Sequence, residues 1–348
     1  MAAIYTRPKL NDRYVTMNVC GTNIIGQPET GAFIGLNQEG EGLMQILESG
    51  ADFSIEDLTD GQKMMMKALA ESGFFANVPI PQTLHSAYLH VTSHCNLNCA
   101  GCYSYEEERN SKPNMNFDEV KQIIRKLAST GIRRLVITGG EPFMRDDIID
   151  ILKYAKEDLG IPELICYTNG FAEIDIYIKA GIYLDNLAFS LDAHDDKSAT
   201  LRPNDIFNAT LDKVHRLQEK EINVSIAFAL HKQNLSAIKE VVIMVNATHI
   251  PCRFDVFTAR PKHEDDVLPN FDISDYKLIG ELVEKSATEQ SIEGAVLGIT
   301  ITNGRNFKCR ELWDGGRTSV SVSPNGDVYP HHMFSGNEEF LLGNILNL

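Results

Sequence analysis

The sequence predicts an α/β protein: a partial (β/α)6 barrel, with a small β+α module of winged-helix-like pattern before it and a short hairpin region after it. From about residue 87 to 290, short apolar runs alternate with amphipathic helical runs at about 25–30 residues per unit, which is how parallel strands with helical crossovers read. About six units fit, fewer than a closed eight-stranded barrel requires. On either side the texture changes, to strand-like runs and two helices before, and to a Gly- and Pro-punctuated hairpin after. The boundaries read as 1–80, 84–290 and 291–348.

Taken in order, residues 14–19 and 31–36 are strand-like, separated by turn signals such as Gly26-Gln27-Pro28. The second run ends at Asn37, with Gly40 read as part of a turn. Apolar residues at helical spacing follow over 42–49, with regular spacing from about Leu43, and over 60–72. Residues 84–91 form an apolar strand that leads into a cluster of cysteines. Strand–helix pairs then succeed one another: 135–138 with 147–159, 164–168 with 173–180, 187–191 with 207–220, 224–230 with 235–246, and 253–257 with 274–286. Asn116 with Glu119 three residues on has the pattern of a helix N-cap and its reciprocal carboxylate. Gly131 and Gly160 stand where helix C-caps belong. Residues 318–329 read as a hairpin turning at Pro324-Asn325-Gly326-Asp327.

Composition narrows the function classes. The chain has 348 residues, 43% of them hydrophobic and 23% charged, as in ordinary globular proteins. No apolar run approaches the roughly 20 residues of a membrane span. The charged start Met1 to Tyr14 lacks a signal-peptide segment, so a cytoplasmic location without membrane partners is expected. With 48 acidic against 32 basic residues and a net charge of −16, there is no basic stripe for nucleic acid.

Seven cysteines, an odd number at uneven spacing, argue against a disulfide framework. Cys95, Cys99 and Cys102 lie within one short loop, His94-Cys95-Asn96-Leu97-Asn98-Cys99-Ala100-Gly101-Cys102-Tyr103. Three thiolates so placed suit a metal centre. A structural zinc site with His94 as fourth ligand is the alternative, although adjacent ligands chelate poorly. Cys20, Cys166 and Cys252 have no ligand-spaced neighbours and read as packed thiols. Trp313, Tyr329 and Phe334 read as packing groups.

Further candidates fall at strand ends, where ligands gather in α/β folds. Gly139-Gly140-Glu141-Pro142 closes one strand, with glycines that permit close approach to a ligand and a carboxylate able to accept from an ammonium group. Thr168-Asn169-Gly170 closes the next, and Ser190-Leu191-Asp192 the one after, with Arg202 in the following loop.

The Cys-x-x-x-Cys-x-x-Cys loop after an apolar strand, followed by Gly-Gly-Glu-Pro at the next strand end, resembles the radical S-adenosylmethionine (SAM) superfamily. The resemblance implies that Cys95, Cys99 and Cys102 hold a [4Fe–4S] cluster with one open iron for S-adenosylmethionine. It implies that Gly139, Gly140, Glu141 and Pro142 contact the methionyl group, that Asn169 lines the cofactor pocket, that Ser190 and Asp192 reach ribose, and that Arg202 lies near the cofactor carboxylate. No catalytic residue is assigned. The implied reaction is reductive cleavage of S-adenosylmethionine to a 5′-deoxyadenosyl radical, with an electron donor such as flavodoxin or ferredoxin.

The order of elements in residues 1–80 is similar to PqqD-like modules, which capture a precursor's leader peptide by strand addition. Residues 309–345 resemble the opening of a SPASM domain, with two departures that read as a degenerate or a truncated region: His331 stands where a cysteine would follow the proline, and the sequence stops before the remaining cysteines of that domain. Cys309 with His331 or His332 is a poor set for an auxiliary cluster, which usually takes four thiolates. The expected substrate is a ribosomally made peptide, modified by a cross-link, thioether or epimerisation. The alternatives are a radical enzyme acting on a small molecule or a partner enzyme, and a non-catalytic zinc-containing binding protein.

Overall fold

Burial alternates along the central strands, and that alternation decides how the sheet presents its two faces. The computed structural model describes the chain apart from residues 1–7, 20–21, 28–31, 51–52, 77–83, 105–108, 196–200, 203–206, 257–271, 273, 276, 280, 282–294, 298–299, 303–304, 310–315, 317 and 348. Cys20, Pro28, Gly31, Phe257, Trp313 and most of the helix expected over 274–286 fall outside the described residues. The chain divides into two compact units, Met1–Gln82 with Val296–Asp314, and Thr83–Ala295 with Gly315–Leu348.

In the first unit, β1 (Val15–Val19), β2 (Thr22–Gln27) and β3 (Ala32–Leu36) form an antiparallel meander. The strand Arg305–Cys309 adds antiparallel to β3, with Lys308 opposite Ile34, and the strand Thr300–Thr302 follows it. Two helices follow β3 in sequence, α1 (Gln38–Ser49) and α2 (Asp60–Glu71). Asn37 caps α1 by accepting from the Gly40 amide at 2.9 Å, so Gly40 lies in the first helical turn rather than in a loop. The glycines at 40 and 42 hide the helical period there. Thr59 and Gln62 close a capping box on α2. Ile25, Ile34, Leu43, Leu69 and Phe74 fill the core of this unit.

The second unit carries the parallel sheet. Its strands are β4 (Ser86–His90), β5 (Arg134–Thr138), β6 (Glu163–Thr168), β7 (Asn186–Leu191), β8 (Val224–Leu230) and β9 (Cys252–Val256), paired in parallel in that order. The crossovers contain α3 (Phe117–Ser129), α4 (Ile148–Lys153), α5 (Ile174–Gly181), α6 (Phe207–Gln218) and α7 (Ile238–Thr248). Where one helix was expected over 147–159, α4 runs into a π turn at Tyr154–Asp158. On the other side of β4 the strand Ser319–Val322 pairs in parallel, and Asp327–Tyr329 folds back on it as a hairpin. The arrangement is a partial barrel, with no closure among the described residues.

Register separates the two faces of this sheet. Leu89, Ile137, Cys166, Leu187 and Val224 form one cross-strand row, and Thr168, Phe189, Ile226 and Cys252 another. Both rows are almost wholly buried, on the side where helices pack. Their neighbours along each strand, including Tyr88, Tyr167, Ser190, Ala227 and Arg253, point to the other, inner face. Cys166 and Cys252 are packed thiols on the apolar side, and burial raises both above the ordinary thiol range.

Candidate active site

The loop after β4 and the loop after β5 zip together through their backbones. Val91 N–H donates to Thr138 O, Gly140 N–H to Thr92 O at 2.8 Å, and Glu141 N–H to His94 O at 2.7 Å. A side chain on either glycine would collide with this seam. A Cβ on Gly139 would sit 2.4 Å from Thr92 O, and one on Gly140 2.1 Å from His94 O. Gly139 also has φ of 147°, a conformation that L side chains rarely adopt. The glycines therefore serve the approach of one loop to the other, and the immediate partner is the cysteine loop itself.

Glu141 is fully enclosed. Its Oε1 accepts from Thr168 Oγ1 at 2.8 Å and from Phe143 N–H at 3.2 Å, and its Oε2 accepts from Asn169 N–H at 2.7 Å. The carboxylate thus caps the short turn Pro142–Met144, in which Pro142 is the first residue, and ties the end of β5 to the end of β6. Burial pushes its pKa up to about 7, against the pull of those three donors. Thr168 also shares a hydrogen bond with the buried Tyr177 hydroxyl at 3.0 Å.

Asn169 connects this network to the cysteines. Its side-chain amide donates to Asn96 Oδ1 at 2.9 Å and reaches Cys95 Sγ at 3.9 Å, while its Oδ1 accepts from Phe171 N–H. Lys213 clamps the loop that follows, donating to Gly170 O and Ala172 O at 2.8 Å each.

The three thiols share one small region, close enough for their charges to act on one another. Burial raises Cys95, an effect opposed by the Leu97 N–H and by Arg109. It pushes Cys99 up to about 11, an effect opposed by Arg202. Asn110 brackets Cys95, accepting from its N–H at 2.9 Å and donating to its carbonyl at 3.1 Å. Both ring nitrogens of His94 are engaged away from the thiols, one by Lys112 O and the other by the Asn114 amide. Among the described residues no three His, Cys, Asp or Glu side chains converge on a point that would hold a single ion.

Asp192 and Arg202 stand beside Cys99. Arg202 Nε lies 3.3 Å from Asp192 Oδ1, Leu201 N–H donates to Asp192 Oδ2, and Ala100 N–H donates to Leu201 O. Burial raises the Asp192 pKa and the arginine opposes that shift. Ser190 is half-buried on the inner face of β7.

The structure thus gathers Cys95, Cys99, Cys102, Glu141, Asn169, Asp192 and Arg202 around the carboxyl ends of β4 to β7. Sequence reasoning missed the residues that hold them. Arg145 forks onto Asp147 and donates to both Val91 O and Met115 O at 2.9 Å. Asn234 donates to Asp192 O at 2.9 Å. Each lies far in sequence from what it supports, so no local spacing marks it. Trp313 and Cys309 offer no comparison, since Trp313 is outside the described residues and Cys309 is known only through its backbone register with Phe33.

The family model for the radical SAM superfamily matches residues 89–245, the stretch that carries these loops. This chain carries a radical SAM domain. Curated relatives include the Fe-coproporphyrin III synthase of Methanosarcina barkeri, 29% identical over 163 residues, or 46% of this chain and 41% of that one. The GTP 3′,8-cyclase of Chlorobaculum tepidum is 31% identical over 140 residues, 39% and 42% of the two chains. Those matches span about two-fifths of the relatives' lengths. Among solved structures, Streptococcus suis SuiB bound to precursor peptide SuiA is 17% identical with a TM-score of 0.65, covering 98% of this chain and 87% of that one. Native anSMEcpe with bound AdoMet is 14% identical with a TM-score of 0.58, covering 76% and 78%. At those identities the likeness is one of fold.

A radical SAM domain uses a [4Fe–4S] cluster and S-adenosylmethionine, and the residues here fit that pair. The donor set is three neighbouring thiols with N–H groups aimed at a sulfur, the usual surroundings of an iron–sulfur cluster. Burial raises Cys95 and Cys99 above the ordinary thiol range, whereas a coordinating metal deprotonates a thiol outright. Among the described residues no helix is long and apolar enough to cross a membrane.

Proposed function

We propose that this chain is a radical SAM enzyme that modifies a ribosomally made peptide. The observation that carries the first part is the seam between the cysteine loop and Gly139-Gly140-Glu141, closed by buried Glu141 at the strand ends. Cys95, Cys99 and Cys102 would hold the cluster. Backbone around Gly139 to Pro142, with Asn169, Ser190, Asp192 and Arg202, would hold S-adenosylmethionine. When bound, the pair supplies a 5′-deoxyadenosyl radical that takes hydrogen from substrate.

The chain's own residues do the positioning. Glu141, buried among its three donors, ties the end of β5 to the end of β6. The Arg202–Asp192 pair sets charge beside Cys99.

The peptide substrate is supported by fold likeness to SuiB across 98% of this chain, which includes the first unit. In that unit a leader peptide would add to the sheet as a strand, and a flavodoxin or ferredoxin would supply the electron. A second reading, a small-molecule substrate, draws on the curated relatives, whose names describe a cyclase and a porphyrin synthase. The test is anaerobic reconstitution with iron and sulfide, then reductant and S-adenosylmethionine. Formation of 5′-deoxyadenosine by the parent chain and not by Cys99→Ala supports the radical reading. A zinc-filled protein without cleavage refutes it. Mass change in a precursor peptide encoded beside this chain then separates the two substrate classes.

A further inference from the structure

The inner face of the parallel sheet carries an ion pair that the radical chemistry leaves unused. Arg253 and Asp255 are two apart on β9, so both point inward from the same strand. Arg253 Nε lies 2.8 Å from Asp255 Oδ1, and Nη2 donates to Asp255 Oδ2 at 2.9 Å. A pair within one strand ties no two elements together. The contrast is Arg134 with Glu163, which face each other across β5 and β6 at 2.7 Å and do link two strands. Holding the fold therefore gives little reason for the inner pair.

What the pair does is aim the guanidinium. Asp255 holds it through the Nη2 hydrogen bond, with Nε close to the same carboxylate, and the Tyr167 ring lies 5.7 Å from its central carbon. The Nη1 end has no hydrogen-bond partner among the described residues, and 41% of the side chain is accessible. Register places Arg253 in one row with Ala227 and Ser190, so only a methyl group stands between it and the serine of the candidate cofactor pocket. Ala188 and Ala229 keep the adjacent positions on that face equally small. A fixed guanidinium with an unused, solvent-accessible edge on the inner face is the arrangement that recognises a carboxylate.

We propose that Arg253 anchors a carboxylate of the substrate, the side chain of an acidic residue in the peptide, with Asp255 and Tyr167 as positioning residues. This rests on the peptide reading above. It names a specificity determinant facing the same inner space as Ser190.

The test uses the full chain, reconstituted with its cluster and saturated with S-adenosylmethionine, and two probes: N-acetylglutamate amide and N-acetylglutamine amide. Binding is read by calorimetry or ligand-observed NMR. The parent chain should prefer the acid over the amide by about tenfold or more, as one charge-assisted contact allows. Arg253→Gln should abolish that preference, and Arg253→Lys, which keeps the charge without the fork, should retain part of it. Equal preference in the parent and Arg253→Gln overturns the proposal, as does no preference in the parent. A fall in melting temperature and iron content in Arg253→Gln, with the lysine variant no better, makes the pair structural and also overturns it. So does a loss of S-adenosylmethionine affinity in Arg253→Gln, which would give the guanidinium to the cofactor's own carboxylate. Cleavage by the parent chain, measured on the same preparation, tests the radical reading separately: an acid preference without 5′-deoxyadenosine sinks that reading and leaves the anchor standing.

Discussion

Gly140→Ala is the most direct perturbation of the seam. The new Cβ would lie 2.1 Å from His94 O, 2.5 Å from Ser93 O and 2.6 Å from the His94 carbonyl carbon, all backbone atoms. A relaxed carbon–oxygen contact needs about 3.3 Å, so the cysteine loop must retreat by about 1 Å. That shift breaks the bonds from Gly140 N–H to Thr92 O and from Glu141 N–H to His94 O, now 2.8 and 2.7 Å long. Overpacking of this kind costs about 1–3 kcal/mol. At about 2 kcal/mol the melting temperature should fall by roughly 4–8 °C for a unit of this size. The greater effect should be on the cluster, because the displaced loop carries all three thiols. Iron bound per chain after anaerobic reconstitution should drop at least several-fold. Gly131→Ala is the control: its φ of 82° makes a side chain costly by about 1–2 kcal/mol, but nothing lies within 4 Å of the new Cβ. It should lower stability and leave iron loading intact. If Gly140→Ala loads iron and melts like the parent, the seam is not what positions the cysteines.

Glu141 gives a pH signature. Its native pKa, raised from 4.5 to about 7, means that the native state keeps a proton the unfolded chain releases. That stabilisation is fully present below about pH 4.5 and is lost as pH rises to about 7, and Glu141→Gln should flatten this window of the metal-free protein by about 3 kcal/mol. Denaturant melts across pH 4.5 to 8 check it, and parallel curves for parent and variant would refute it. Asn169→Ala strands the Phe171 N–H and removes the amide from Cys95 and Asn96, so stability should fall by about 1–3 kcal/mol and iron retention with it. Chelator challenge of the reconstituted protein measures the second effect. Lys213→Met releases the carbonyls of Gly170 and Ala172, which should raise amide exchange over 169–172 without changing iron content.

The cluster loop was legible because its three ligands are neighbours in sequence, and a single loop presents them whatever the rest of the fold does. The helix capped by Asn116 and Glu119 was legible for the same reason: both partners lie within one turn, and the structure closes the box between them. The hairpin after Thr318 also formed where its turn residues put it, with Gly326 at φ of 85°. The start of α1 was obscured by its glycines, since helical spacing became regular only from Leu43 while the Asn37 cap begins the helix at Gln38.

The site shows the same division. Sequence marked Gly139, Gly140 and Glu141 for the cofactor's methionyl group; what only the fold reveals is that they also lock onto Thr92 to His94 and Thr168 to Asn169. Asp192 was marked for ribose, and its carboxylate is held by Arg202 and the Leu201 N–H. Arg253 carried no local signal at all. Its meaning comes from cross-strand register, which sets Ala227 between it and Ser190.

By itself, then, the sequence determined the chemistry offered by contiguous residues: three thiols in one loop, caps within a turn, and a strand–helix alternation that leads to a parallel sheet. Only the tertiary structure decided where that chemistry is aimed. Hydrogen-bond partners and inner-face neighbours are set by strand register and by loops that meet across tens of residues, and neither is encoded in local spacing.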